Sequence, residues 1–290
     1  MMQQISNVFT TSSTIGDVLK TPCFNGFAQY LLPLEWGYDE KMPLSRVSSL
    51  LPYHSHIDAN RSVEILNYMY TLAQSGQKIF YKLNRKDAGL FFFKGKPGSP
   101  FAVFCPGGAF SYVGSIHEGF PFGIELSKKG YNAFVIQYRT GSAQGACMDL
   151  AEGISYIFHQ KDQLQVDTNG YSVWGFSAGA RMAAYLGTYG PSGFGGDDLP
   201  RPSTVVMGYT GHSEYSRNDP PTYVAVGAHD GIANPRVMER RVEKLKSMGI
   251  PAEFHMFPSL GHGFGLGIGT TAEGWVDDAI RFWEEHRVKH

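Results

Sequence analysis

The segment Gly175-Phe-Ser177-Ala-Gly179 sets one serine between two glycines. It follows the apolar run Tyr171-Ser-Val-Trp174 and opens a stretch rich in small side chains, among them Ala178, Ala180, Ala183 and Ala184. A strand that turns sharply into a helix lifts such a hydroxyl above a sheet, and the helix N-terminus turns its N–H groups toward developing negative charge. A serine hydroxyl is a weak nucleophile, so this reading requires a general base and an acid to orient that base. Both types stand downstream in strand-to-loop settings. Thr222-Tyr-Val-Ala-Val-Gly runs into a loop carrying Asp230, and Phe254-His-Met-Phe runs into the glycine-flanked His262. The expected set is therefore Ser177 as nucleophile, His262 as base and Asp230 as orienting acid. His255 lies inside the last strand and reads as structural, His229 reads as loop lining, and Asp197 and Asp198 belong to a different loop.

Acyl transfer by such a group passes through a tetrahedral intermediate whose oxygen becomes negative and needs fixed N–H donors. The loop Cys105-Pro-Gly-Gly-Ala-Phe110 follows the apolar run Phe101-Ala-Val-Phe and is suited to supply them. We expect the backbone N–H groups of Gly108 and Ala109, with that of Ala178 after the nucleophile, to form the oxyanion hole, and Gly107 to shape the turn. Phe110 and Phe176, next to these loops, are expected to face the substrate.

The surrounding elements are those that present such loops. Gln77–Lys82 and Leu90–Lys94 read as a hairpin. Tyr131–Tyr138, Tyr171–Phe176, Thr204–Met207, Thr222–Val226 and Ala252–Phe257 read as further strands. Helical spacing runs over His117–Lys129, Ala146–Gln160, Ala178–Gly187, Arg236–Met248 and Thr271–His286. Strands alternating with helices predict an α/β class: a mostly parallel twisted sheet with helices on both faces, spanning residues 76–290. Residues 1–75 carry prolines and one clear helix, Arg61–Ala73, and read as an N-terminal extension. It is open to three readings: a cover over a cleft, a subunit contact in a homodimer, or simple packing.

Composition narrows the class. In 290 residues, 42% are hydrophobic, 18% charged and 14% aromatic, which supports a sizeable core. A formal net charge of −1 gives no reason to expect nucleic acid or an anionic membrane surface as partner. Cys23, Cys105 and Cys147 are odd in number and widely spaced, and read as buried reduced thiols. The start of the chain lacks a basic then apolar leader, and no window has the ~20 apolar residues of a membrane span. A cytoplasmic location is the expectation.

Four stretches together resemble a known family: CPGGAFSYVGSIHEGFPFGIELSKKGYNAFVIQYR, GFSAGARMAAYLGTYG, PPTYVAVGAHDGIANP and FPSLGHGFGLG. They look like the α/β-hydrolase fold, and more narrowly its acetyl-esterase and xylan-esterase-like branch, related to hormone-sensitive lipase and prolyl-oligopeptidase-type hydrolases. The resemblance covers about Phe80 to Arg287. It implies a Ser177–Asp230–His262 triad and cofactor-free, metal-free hydrolysis of small acyl esters, acetyl esters of sugars among them. Two departures stand out. Ala109 replaces a third glycine, which requires a negative φ there, and Ala180 stands where this branch often has glycine. The short stretch between Met207 and Tyr223 leaves little room for a lid. A serine exopeptidase, with Glu35, Asp39 or Glu40 holding a peptide amine, and a non-catalytic binding module on the same fold are the alternatives.

Three further signals are discounted. His54-Ser-His56-Ile-Asp58 begins like a binuclear metal motif, but Ala59 follows where histidine is needed and no apolar strand precedes it. Arg240-Arg241, beside Glu239 and Glu243, reads as a solvated charged face. Gly265-Leu-Gly-Ile-Gly269 lacks the strand-to-helix context of a dinucleotide loop.

Overall fold

The structure is a computed structural model that describes residues 7–287. The strands are β1 (Phe80–Lys82), β2 (Gly89–Phe93), β3 (Pro100–Cys105), β4 (Asn132–Gln137), β5 (Asp167–Phe176), β6 (Thr204–Gly208), β7 (Thr222–Gly227) and β8 (Ala252–Phe257). The helices are α1 (Ile15–Leu19), α2 (Ala59–Gln74), α3 (Ser115–Glu118), α4 (Phe120–Lys128), α5 (Ala143–His159), α6 (Lys161–Leu164), α7 (Ala178–Tyr189), α8 (Pro235–Ser247) and α9 (Trp275–His286). The strands form one sheet in the order β1-β2-β4-β3-β5-β6-β7-β8. β1, β2 and β4 pair antiparallel, and every pair from β4 through β3 to β8 is parallel.

Side chains on the central strands alternate between two apolar layers, as the period of a strand requires. Phe104, Val135, Trp174, Phe176, Val206 and Tyr223 face one layer, which α4 and α9 close with Phe120, Phe122, Trp275 and Trp283. Val103, Cys105, Phe134, Ile136, Val173, Met207 and Val224 face the other, closed by α5, α7 and α8. Both faces being covered explains why these strands read as continuous apolar runs. Among the described residues, the N-terminal ones join only the first layer. Phe9, Ile15, Phe24, Leu31, Val47, Leu66 and Met69 are buried in it beside Phe91 and Phe120.

Three local readings need correction. The helical spacing over His117–Lys129 is split into α3 and α4 at Gly119, where a Cβ would lie 2.5 Å from Val135 Cγ1. The backbone turns there (φ −123°, ψ −72°), which drives the Glu118 side chain inward. α9 starts at Trp275 rather than Thr271, because Gly274 adopts a left-handed φ of 88° that ends any helical run. Arg241 is not solvated. It shares the buried stripe of α8 with Met238, Val242 and Leu245, and its Nη2 lies 3.1 Å from the buried Asp219 carboxylate. Cys105 and Cys147 are buried free thiols, whereas Cys23 is only half-buried. No helix among the described residues is long and apolar enough to cross a membrane.

Candidate active site

From β3 the chain turns to β4 on one side, and from β4 it crosses to β5 on the other. This change of direction opens a crevice above the C-terminal ends of β3 and β5, where open α/β sheets hold ligands. The CPGGAF loop leaves β3 and the GFSAG turn leaves β5, so the two singled-out loops meet there.

The turn is sterically determined. Ser177 adopts φ 52° and ψ −117°, between β5 and α7. A Cβ on Gly179 would lie 1.9 Å from the Cys105 carbonyl oxygen, and one on Gly175 2.1 Å from the Gly179 carbonyl oxygen. Only glycine fits on either side, which gives the spacing in the motif its physical cause. The Ser177 N–H donates to the Gly208 carbonyl at 2.9 Å, tying the turn to the end of β6.

The three chemical groups meet. His262 Nε2 is 2.8 Å from Ser177 Oγ, and His262 Nδ1 is 2.8 Å from Asp230 Oδ2. A carboxylate only accepts, so Nδ1 carries the proton toward Asp230 and Nε2 is free to accept the Ser177 hydroxyl. The other Asp230 oxygen accepts the N–H groups of Ile232 and Ala233 at 2.8 and 2.7 Å. Those two bonds fix the carboxylate in a loop that would otherwise swing. The Asp230 and His262 side chains are 0% and 5% exposed, so their interaction is screened little by water. The N–H groups of Gly108, Ala109 and Ala178 donate to no other protein group among the described residues. That of Gly107 points away, donating to Glu118 Oε2 at 2.6 Å.

Two expectations are corrected here. Ala109 has φ 55° and Phe110 φ 57°, not the negative φ required of Ala109. The loop keeps a glycine-type conformation and tolerates a Cβ at a cost of about 1–3 kcal/mol. Phe176 is fully buried, its ring 4.4 Å from the Phe122 ring, and offers no surface to a substrate. Phe110 is half-buried against Tyr138, at the outer end of the CPGGAF loop. His255 stacks on Tyr223 at 4.5 Å and pairs with Glu253, away from the triad. Glu35 accepts the Val113 N–H, Glu40 pairs with Lys20, and Asp39 accepts the Lys41 N–H. Those three acids are thus engaged separately rather than converging as an amine site.

Sequence reasoning missed a group of residues below the loops. Ser55 Oγ donates to the His262 carbonyl at 2.6 Å, and the Ser55 N–H donates to the Gly263 carbonyl at 3.1 Å. The His54 side chain, 1% exposed, lies 3.0 Å from the fully buried Glu118 carboxylate. The one sequence signal here is the His54-Ser-His56-Ile-Asp58 stretch, whose histidine spacing points to a metal rather than to these partners.

Comparison with known proteins bears on the fold. Eight strands in this order resemble a protein from a Medee basin deep-sea metagenome, described as an α/β hydrolase enzyme. The two share 24% identity, with 71% of this chain and 96% of that one covered at a TM-score of 0.62. The chain has the α/β-hydrolase fold. An acetyl ester-xyloside bifunctional hydrolase from Caldicellulosiruptor lactoaceticus shares this α/β-hydrolase architecture at 24% identity and a TM-score of 0.61, covering 70% and 89% of the two chains. A family model described as BD-FAE matches residues 93–198, which hold the loop after β3 and the Ser177 turn. In sequence, an acetylxylan esterase from Xylanibacter ruminicola is 23% identical over 231 residues, or 67% of this chain. The match spans about half (48%) of that relative's length. Ser177, Asp230 and His262 follow one another along the chain as serine, acid and histidine, the order in which α/β hydrolases carry nucleophile, acid and base.

Proposed function

We propose that the protein is a serine carboxylic-ester hydrolase for small acyl esters, acetyl esters of sugars among them, acting through an acyl-enzyme. The observation that carries this is the unbroken line Asp230–His262–Ser177 beneath three N–H groups that find no acceptor among the described residues. The esterases among the relatives support the reaction class. The catalytic unit in this reading is residues 76–290, with the N-terminal extension, described from residue 7, packed on it.

In the first step His262 Nε2 takes the Ser177 proton as Oγ attacks the ester carbonyl, and the carbonyl oxygen collects negative charge against Gly108, Ala109 and Ala178 N–H. Asp230 holds the imidazole tautomer and stabilises the imidazolium that forms. The tetrahedral intermediate breaks its bond to the alkoxy oxygen, which leaves with the proton from His262. A water then gives its proton to His262, attacks the acyl carbon and releases the acid, returning Ser177 to its hydroxyl form. No cofactor enters this scheme.

The test has two parts. A fluorophosphonate probe should label Ser177 in the folded wild type and not in Ser177→Ala. A panel of p-nitrophenyl esters from C2 to C12, with acetylated xylo-oligosaccharides, should show turnover that falls steeply beyond about C4. Substitution of the nucleophile should lower kcat on the order of 10⁶-fold, as loss of such a serine does in a well-studied protease. An unlabelled wild type removes the hydrolase reading, and strong C10–C12 turnover removes the small-acyl one.

A further inference from the structure

Below the two catalytic loops lies a polar cluster that the triad does not use. Glu118 is fully buried where the chain breaks between α3 and α4. Its Oε2 accepts the Gly107 N–H at 2.6 Å, and its Oε1 accepts the Tyr209 hydroxyl proton at 2.8 Å. The Tyr209 oxygen in turn accepts the Gly265 N–H at 3.3 Å. One carboxylate is therefore bonded to the oxyanion loop directly, and to the loop carrying His262 through one phenol. Tyr209 also sets its ring 5.2 Å from the His262 ring, edge to face.

The N-terminal extension completes the cluster. His54 Nε2 lies 3.0 Å from Glu118 Oε2, off the line of a well-directed hydrogen bond, and its Nδ1 lies 2.9 Å from the Tyr112 hydroxyl. Tyr112 belongs to the oxyanion loop, and its hydroxyl accepts the Tyr53 N–H at 3.3 Å. Ser55 bonds the His262 carbonyl by its hydroxyl and the Gly263 carbonyl by its N–H. His117 Nε2 reaches the same Gly263 carbonyl at 2.9 Å. Burial alone would raise the Glu118 carboxyl, but the imidazoles of His54 and His117 and the Tyr209 hydroxyl hold it well below the usual carboxylate range. An ionised acceptor makes stronger, shorter bonds to N–H groups than a neutral one.

We propose that Glu118 is a positioning residue for the reaction, and that His54 and Ser55 of the N-terminal extension lock it and the His262 loop in register. The Gly107 N–H, turned down onto the carboxylate, sets the orientation in which the next two N–H groups, of Gly108 and Ala109, face up toward the substrate oxygen. The extension is then part of the catalytic apparatus rather than a cover or a passive pack. This inference rests on the serine-hydrolase reading above.

The test measures kcat per active site, with sites counted by fluorophosphonate titration, for Glu118→Ala, Glu118→Gln, Tyr209→Phe and Ser55→Ala. Loss of a single oxyanion donor costs roughly 10²–10³-fold in kcat, and Glu118→Ala should approach the lower figure with KM changed less than about threefold. Glu118→Gln keeps an oxygen acceptor without its charge, so a loss on the order of tenfold is expected. Affinity for a trifluoromethyl ketone, which mimics the tetrahedral state, should fall in step with kcat/KM, while binding of the product acid stays unchanged. A merely structural role would lower the titrated site count or the melting temperature and leave kcat per site intact, which overturns the proposal. If Glu118→Ala does not fold, Glu118→Gln and Tyr209→Phe decide, and an unchanged kcat per site in both overturns it. A wild type that labels while the variants keep their rate sinks this inference alone; a wild type that does not label sinks both readings.

Discussion

Two carboxylate–imidazole pairs lie under the same crevice, and the proposed roles set one as chemistry and the other as support. Asp230 and His262 are 2.8 Å apart, and Glu118 and His54 are 3.0 Å apart; all four side chains are at most 5% exposed. In each pair the second ring nitrogen faces a hydroxyl, Ser177 at 2.8 Å and Tyr112 at 2.9 Å. The difference is in what that hydroxyl meets. Ser177 is half-buried on a strained turn, next to N–H groups that donate to nothing else among the described residues. Tyr112 is 1% exposed, and burial pushes its hydroxyl pKa well up, so it remains a protonated bridging group. A carboxylate–histidine pair becomes a nucleophile activator only where its hydroxyl reaches substrate and an oxyanion site stands ready.

Four measurements bear on this contrast. The largest effect belongs to the proposed catalytic pair: Asp230→Asn should lower kcat about 10⁴-fold with the fold retained, because the amide stabilises the wrong imidazole tautomer. Glu118→Gln in the proposed supporting pair should act about three orders of magnitude more weakly in kcat per titrated site. Equal losses from Asp230→Asn and Glu118→Gln would erase the distinction between them.

Acid unfolding probes the support from another side. Burial lowers His117 to about 4 and His212 to about 3, so both are neutral in the folded protein near neutral pH. An unfolded histidine titrates near about 6.5. Below that pH the unfolded chain binds protons that the folded chain refuses, so stability is full above it and declines as pH falls. The decline is about 1.4 kcal/mol per pH unit for each histidine, and the His117 share ends near pH 4. Denaturant melts between pH 7 and 4 should show it, and His117→Gln should remove about half of the slope. An unaltered slope would mean that His117 is protonated in the folded state.

The smallest effect concerns the oxyanion loop itself. Ala109 holds a left-handed φ of 55°, so Ala109→Gly relieves strain and should stabilise the fold by up to ~1 kcal/mol, net of glycine's greater chain entropy. Activity should stay within a few-fold, since the donating N–H is unchanged. A destabilised Ala109→Gly would show that the loop is held by its neighbours rather than strained by its alanine.

The α/β class, the strand-to-helix turn at Ser177 and the chain order of the three chemical residues were legible in the sequence because each depends on local stereochemistry. Two glycines around a serine, apolar runs ending in glycine-rich loops, and helical spacing between them leave few ways to fold. The break at Gly119, the burial of Phe176 and of Arg241, and the positive φ of Ala109 were not legible. Each depends on atoms far along the chain: Val135 against Gly119, Phe122 and Trp275 against Phe176, Asp219 against Arg241.

The extension shows this division most clearly. Its apolar residues and the helix α2 could be read one by one, but nothing in His54-Ser55 announces a partner 64 residues away in Glu118 or 207 away in His262. Sequence determined which groups were available and which turns they could occupy. Tertiary structure alone decided which of two buried carboxylate–imidazole pairs faces the Ser177 hydroxyl and which faces Tyr112, because burial and partner placement are properties of the packed chain.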